Sequence, residues 1–223
     1  MLTTSNTPAF TLSQVWRRVY EYICGKHPGL YPWHFQWLAA HYFYCRLKKL
    51  IPSFHGRVLD VGCGEKPYRS WFNKEVEYIG LDVIPGANVD VVVLPDECWP
   101  YPDEYFDVVF SSQVLDDVEY LSHTSFEMKR VLKKDGLAVL TIPFIYNENK
   151  DYHRFSVFGA QKLFTNFEIV HLEKLGGIGS TLTMLFLNWC SHFRFLKALL
   201  PLWIVFSFVL SSVRLTYEFP CQY

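Results

Sequence analysis

Two glycines at the end of a β-branched run constrain this chain most. Arg57 to Val61 is short, apolar and rich in valine, and Gly62-Cys63-Gly64 follows at once. A run of this kind reads as a strand buried on both faces of a parallel sheet. Glycines at its end let the backbone turn sharply and keep side chains out of the space between backbone and ligand. A second apolar run, Tyr78 to Leu81, closes on Asp82, 20 residues beyond Gly62. An acid at about that distance from a glycine turn stands at the tip of the neighbouring strand, where its carboxylate can accept hydrogen bonds from both hydroxyls of a ribose.

The third glycine of the dinucleotide pattern is missing, because the loop continues through Gly64 to Lys66 and Pro67. That argues against a pyrophosphate seated on a helix N-terminus and for a nucleoside cofactor without phosphates. On VLDVGCG and YIGLD, at this spacing, the chain resembles the class I S-adenosylmethionine-dependent methyltransferases. Within them it is similar to the type 11-like enzymes that accompany bacterial polysaccharide and glycolipid pathways. The resemblance covers residues 56–175. It implies a doubly wound, Rossmann-like, mostly parallel α/β sheet and S-adenosyl-L-methionine as cofactor. It also implies cofactor contacts from Asp60, Gly62, Cys63, Gly64, Asp82 and Val83, with Val93 and Leu94 along the adenine and Ser111 and Gln113 at the end of the fourth strand.

The rest of the chain is read around that core. Its 223 residues suffice for one α/β domain with a sizeable interior. A net charge of −1 offers no nucleic-acid footprint. The six cysteines form no CxxC pair, so reduced thiols in a cytoplasmic setting are expected, and no metal-ligand spacing is read. The N-terminus lacks a basic and an apolar region, so the expectation is a chain without a signal peptide. Residues 1–52 read as an N-terminal helical cap, with helices over Thr11–Cys24 and Trp33–Leu50. This cap either packs on the sheet or closes over an apolar substrate. Residues 53–180 form the cofactor-binding core. Strands are expected over Val89–Val93, Phe106–Phe110, Leu137–Ile142 and Glu168–Leu175, helices over His123–Lys134 and Val157–Phe167, and a proline-rich loop over 94–104.

Two constellations lie where chemistry is expected, near the ends of the fourth and fifth strands. Asp116-Asp117 stands where related sequences often carry Glu-His, which puts any role carried over for that histidine in doubt; solvated acids at a helix start are the plainer reading. Tyr146 with Asp151-Tyr152-His153-Arg154-Phe155-Ser156 resembles a D-Y-x-R-F-[ST] element. Charges and aromatics at a crevice mouth suit a small-molecule, saccharide or lipid-linked acceptor. His153 is the candidate base, with Arg154 and Tyr146 beside it. The plainer alternative is that Asp151 and Arg154 pair to fix the loop while Ser156 caps the next helix. A catalytically silent module that keeps the fold, and even the cofactor, stays open as a second class.

Residues 181–223 form an apolar helical C-terminal segment. Ala198 to Val213 holds 16 residues without a charge, interrupted by Pro201. A span needs about 20 apolar residues. The segment therefore reads as lying on a membrane surface or as buried, within the monomer or in a homodimer; a true span is the least favoured alternative. The resembled family ends on a seventh, antiparallel strand. Pro220 forbids a regular central strand near the terminus, so that strand is expected to be absent or rudimentary.

Overall fold

The computed structural model describes residues 12–32, 34, 36–143 and 151–191. The chain divides into two compact units, one of residues 1–41 with 176–223 and one of residues 42–175.

The larger unit is built on five parallel strands: β1 (Arg57–Val61), β2 (Glu77–Asp82), β3 (Val91–Val92), β4 (Phe106–Ser112) and β5 (Leu132–Thr141). They lie in the order β3-β2-β1-β4-β5, every pair parallel. The glycine-bearing strand is thus central, and the order reverses beside it, which is where open α/β sheets bind ligands. Register places Leu59 beside Ile79 and Val109, and Asp60 beside Gly80 and Phe110. Side chains alternate across the strands, so both faces need cover. Leu59, Val61 and Val109 pack with Trp99, Met128 and Val131 on one face. Val58, Val108 and Phe110 pack with Leu47, Ile51, Phe54 and Phe72 on the other. This two-sided burial is why the strands read as unbroken apolar runs.

Helices occupy less of the sheet's connections than alternation predicts. Among the described residues, the one α-helix joining consecutive strands is α3 (Leu121–Val131), between β4 and β5. It is numbered after α1 (Leu12–Cys24) and α2 (Trp37–Leu50), which precede the sheet. Between β1 and β2 there is only a single 3₁₀ turn, Arg69–Trp71. Pro67 and the positive φ of Lys66 make that segment a poor helix start.

Three expected strands change, and of these β5 begins at Leu132, inside the stretch expected as the end of a helix. The strand expected over Val89–Val93 shortens to Val91–Val92, because Val89 closes a turn onto Gly86 and Asp90 turns its carboxylate to the Gly80 amide. Glu168–Leu175 forms no strand; all eight residues are exposed, Val170 by 83%. Apolar β-formers make a strand only where an edge accepts their amides, and this stretch pairs with none. Helix α4 spans Val157–Leu163, capped by Ser156, whose hydroxyl accepts from the Gly159 amide at 3.1 Å.

In the smaller unit, α1 leads into a two-residue ribbon, Gly25–Lys26 against Gly29–Leu30, and α5 covers Ile178–Ser191. The second N-terminal helix begins at Trp37 rather than Trp33, after a turn in which the Trp37 amide donates to the His34 carbonyl. None of the described helices is long and apolar enough to cross a membrane. The uncharged run 198–213 and the seventh-strand region 215–223 lie outside the described residues.

Candidate active site

The loop after β1 is held from below by the next strand. The amides of Gly62 and Cys63 both donate to the Leu81 carbonyl, at 2.8 and 3.2 Å. Gly62 adopts φ +73° and Gly64 φ +48°, conformations costly to a residue with a Cβ. The two glycines serve different ends. A Cβ on Gly62 would lie 2.4 Å from a Val114 methyl carbon, so this glycine allows the loop to pack on the residues after β4. A Cβ on Gly64 would meet nothing within 4 Å, so this glycine faces open space above the strand ends.

Asp82 closes the loop from the neighbouring strand. Its Oδ2 accepts from the Gly64 amide at 2.9 Å and its Oδ1 from the Ile84 amide at 3.0 Å. An ionised carboxylate has about four lone-pair positions, so each oxygen keeps one for a ligand hydroxyl. Beyond it, Val83, Ile84 and Leu94 are exposed aliphatic side chains. The β2–β3 register sets Val92 beside Asp82, and the Val93 amide donates to the Asp82 carbonyl at 3.1 Å, which brings the start of the proline-rich loop to the same strand end.

Asp60 lies beneath the loop rather than on its surface. It is buried and accepts a short hydrogen bond from the Tyr78 hydroxyl. Burial pushes its carboxyl up to about 7; the Tyr78 bond and Lys66 pull the other way, and Asp82 adds to the rise. Cys63 is buried too, and burial with the nearby Asp60 and Asp82 pushes its thiol up to about 12. It is therefore a neutral packing residue, not a nucleophile. Lys66 pairs with Asp90, whose Oδ2 also accepts from the Gly80 amide at 2.7 Å. Gly80 makes room for this, since a Cβ there would strike Lys66 and Cys63.

Ser111 is fully buried and its hydroxyl donates to the Val61 carbonyl at 2.9 Å, tying β4 to the glycine strand. Gln113, at φ +60°, bonds Thr141 twice, amide to carbonyl at 2.9 Å and side chain to side chain at 3.1 Å. Ser112 joins Tyr68 and Thr141 into the same polar chain, at 3.1 and 3.0 Å. Tyr68, Lys66, Asp90 and Thr141 escape the sequence reading. Asp90 and Thr141 carry one signal, a place at or next to a strand end; Lys66 and Tyr68 lie five and seven residues beyond β1 and carry none.

The segment after β5 is anchored to the end of β4. The amides of Tyr152 and His153 both donate to the Asp116 carbonyl, at 2.9 and 3.1 Å. Arg154 ion-pairs with Asp151. Both Asp116 and Asp117 are pushed up by burial; the Asp116 charge adds to the rise at Asp117, and Arg154 opposes it at both. The structure thus brings together the two constellations that are separate in sequence. Tyr146 lies outside the described residues. A separate cleft lined by Ser53, His55, Asp107, Lys133 and Gly136 opens at the opposite, starting ends of β1, β4 and β5, away from the glycine loop.

Residues 59–140 match the family description "Methyltransferase domain". An uncharacterised protein of Methanocaldococcus jannaschii is 29% identical over 98 residues, 43% of this chain and 48% of that protein. The chain therefore spans about half the length of the curated relative it matches. Among solved structures, the [4+2]-cyclase SpnF superposes with a TM-score of 0.54 at 18% identity, over 78% of this chain and 76% of that one. An S-adenosylmethionine-dependent methyltransferase from Aquifex aeolicus gives 0.42 at 17% identity, over 60% and 87%. The residues present fit S-adenosylmethionine, the cofactor of a methyltransferase domain: an open glycine cradle, a carboxylate with acceptor capacity to spare, and an aliphatic flank. The match over 59–140 and the 3-2-1-4-5 strand order agree on a methyltransferase domain with a Rossmann-like, parallel sheet in that stretch of the chain.

Proposed function

We propose that this protein binds S-adenosylmethionine across the ends of β1, β2 and β4 and methylates a polar acceptor, a saccharide or lipid-linked molecule, at the mouth formed by residues 151–156. The observation that carries the reading is the open space over Gly64 with Asp82 hydrogen-bonded beside it. Bound there, the cofactor supplies an activated methyl group for in-line displacement. Asp82 holds the ribose hydroxyls with its free lone pairs. Val83, Ile84 and Leu94 give the adenine apolar contact. Asp60 and Asp82 bias the cradle toward a cationic ligand. The segment fixed to the Asp116 carbonyl presents Arg154 to orient an anionic or hydroxyl-rich acceptor. His153 takes the acceptor proton where one must leave, and its Nε2 is buried with no hydrogen-bond partner among the described residues. Tyr146 belongs to the same proposed acceptor set.

Asp82→Ala is expected to weaken S-adenosylmethionine binding by about 1–3 kcal/mol, through lost charge-assisted hydrogen bonds and a loosened Gly64 amide. Titration calorimetry of parent and variant checks this; equal affinities would remove the ribose assignment. Arg154→Ala is expected to lower turnover with a purified saccharide or lipid-linked acceptor while cofactor affinity stays within a few-fold. A parallel fall in cofactor affinity would make Arg154 part of the cofactor site instead.

A further inference from the structure

We propose that Asp116, Asp117 and Asp151 form a binding site for one hard divalent cation, of the magnesium, manganese or calcium class, between the end of β4 and the segment after β5. One carboxylate oxygen from each lies within 4.8 Å of the other two. Oxygens on opposite sides of a calcium ion stand about 4.6–5.2 Å apart, and those around magnesium about 3–4 Å. The three oxygens therefore span the space one such ion occupies, with at most a small closure for the smaller ion.

A second observation separates this cluster from an ordinary group of surface acids. Asp116 is only 4% exposed, and its Oδ1 has no hydrogen-bond partner among the described residues. The Asp151 side chain is likewise only 4% exposed; it meets Arg154 as an ion pair, yet neither of its oxygens accepts a hydrogen bond of good geometry among the described residues. Buried carboxylate oxygens without donors are costly, and the natural remedies are a donor, a proton or a metal. Among the described residues, the cation paired with this cluster does not balance it. Arg154 brings one positive charge to three carboxylates, leaving two negative charges among these four side chains. A divalent ion supplies that charge. The donor set is all oxygen, which selects hard cations over zinc or copper. The geometry is held by backbone, since the Asp116 carbonyl accepts both the Tyr152 and the His153 amides and so fixes Asp151 against Asp116. Asp117 completes the triad from the exposed side, which gives an ion an entry path.

Manganese alone tests the site, without cofactor or acceptor, so its outcome is separate from that of the methyl-transfer proposal. In an electron paramagnetic resonance titration of the full chain, the signal of free Mn²⁺ is expected to fall with saturation at one ion per chain, and Mg²⁺ or Ca²⁺ is expected to restore it. Asp117→Asn alters an exposed side chain and leaves the buried pair intact. It is expected to weaken Mn²⁺ binding at least about tenfold, the scale on which even supporting residues of metal sites act. Asp151→Asn is expected to do the same, with circular dichroism confirming its fold. Absence of saturable binding at millimolar Mn²⁺, or unchanged affinity in Asp117→Asn, overturns the proposal.

Discussion

Glu127→Ala is expected to cost about 3–5 kcal/mol of folding stability, the range for removing one partner of a buried ion pair. Glu127 is 0% exposed on α3, and it faces Arg130 one turn later. Arg130 Nε donates to Glu127 Oε1 at 2.8 Å and Nη2 to Oε2 at 2.6 Å. The same carboxylate accepts the Trp99 amide at 2.7 Å. Arg130 reaches on to the carbonyls of Trp99 and Tyr101, at 3.0 and 2.7 Å, and to Asp103 at 2.9 Å. One ion pair thus holds the proline-rich loop that ends at β4, a loop with no ladder of its own. Alanine would strand a guanidinium that is only 20% exposed, orphan the Trp99 amide and open a void at a fully buried position. Urea denaturation checks it, through a lower midpoint at unchanged slope. A loss under about 1 kcal/mol would show that the loop holds by its apolar contacts alone. Glu127→Gln keeps the shape and an acceptor for the Trp99 amide, and is expected to cost less. The sign with pH follows from Arg130, which holds the Glu127 carboxyl below its ordinary value against burial. A depressed carboxyl contributes stability that is present above its unfolded value and lost as pH falls through the folded one. The gap between parent and Glu127→Ala should therefore narrow in acid.

The proline-rich loop also marks how far sequence carries. Its three prolines announce a loop, and Phe106 to Phe110 announces the strand after it. Nothing local announces that Arg130 holds the loop, because that bond joins residues brought together only when α3 docks. The glycine cradle was legible for the opposite reason. Positive φ at Gly62 and Gly64 is a local requirement, and the Asp82 carboxylate follows from strand length and register. The polar chain Tyr68–Ser112–Thr141–Gln113 depends on the β4–β5 register and has no periodic trace. Glu168–Leu175 failed as a strand because an apolar run states what a segment prefers, not whether an edge is available to it. Asp116-Asp117 and Asp151 each read as solvated acids or loop anchors in isolation; only the two amides donated to the Asp116 carbonyl make them one site.

Between about pH 4 and pH 7, the parent protein is expected to lose stability relative to Asp60→Asn, by about 4 kcal/mol across the window. Asp60 is buried under the glycine loop, and its carboxyl is pushed from 3.8 to about 7, first by burial. In this case the folded value lies above the unfolded one. At pH 4 to 7 the folded chain keeps a proton that the unfolded chain has released, so stability falls as pH rises through the window and levels off above it. The distance from 3.8 to about 7, at about 1.4 kcal/mol for each tenfold change in proton affinity, gives the size. Asparagine does not titrate, keeps an acceptor for the Tyr78 hydroxyl, and removes that slope. Comparing the two proteins at each pH cancels the groups that titrate with the opposite sign, among them Asp90, Asp107 and Glu127. Denaturant midpoints at half-unit steps from pH 4 to 8 read the difference directly. A constant difference across that range would mean that Asp60 is ionised throughout, held by Tyr78 and Lys66 strongly enough to offset its burial. Near neutral pH, then, Asp60 is poised between its two forms, and a cationic ligand settling over Gly64 favours the ionised one. Calorimetric titrations of S-adenosylmethionine in buffers of different ionisation enthalpy should therefore show proton release that is largest near pH 6, fades by pH 8, and is missing in Asp60→Asn.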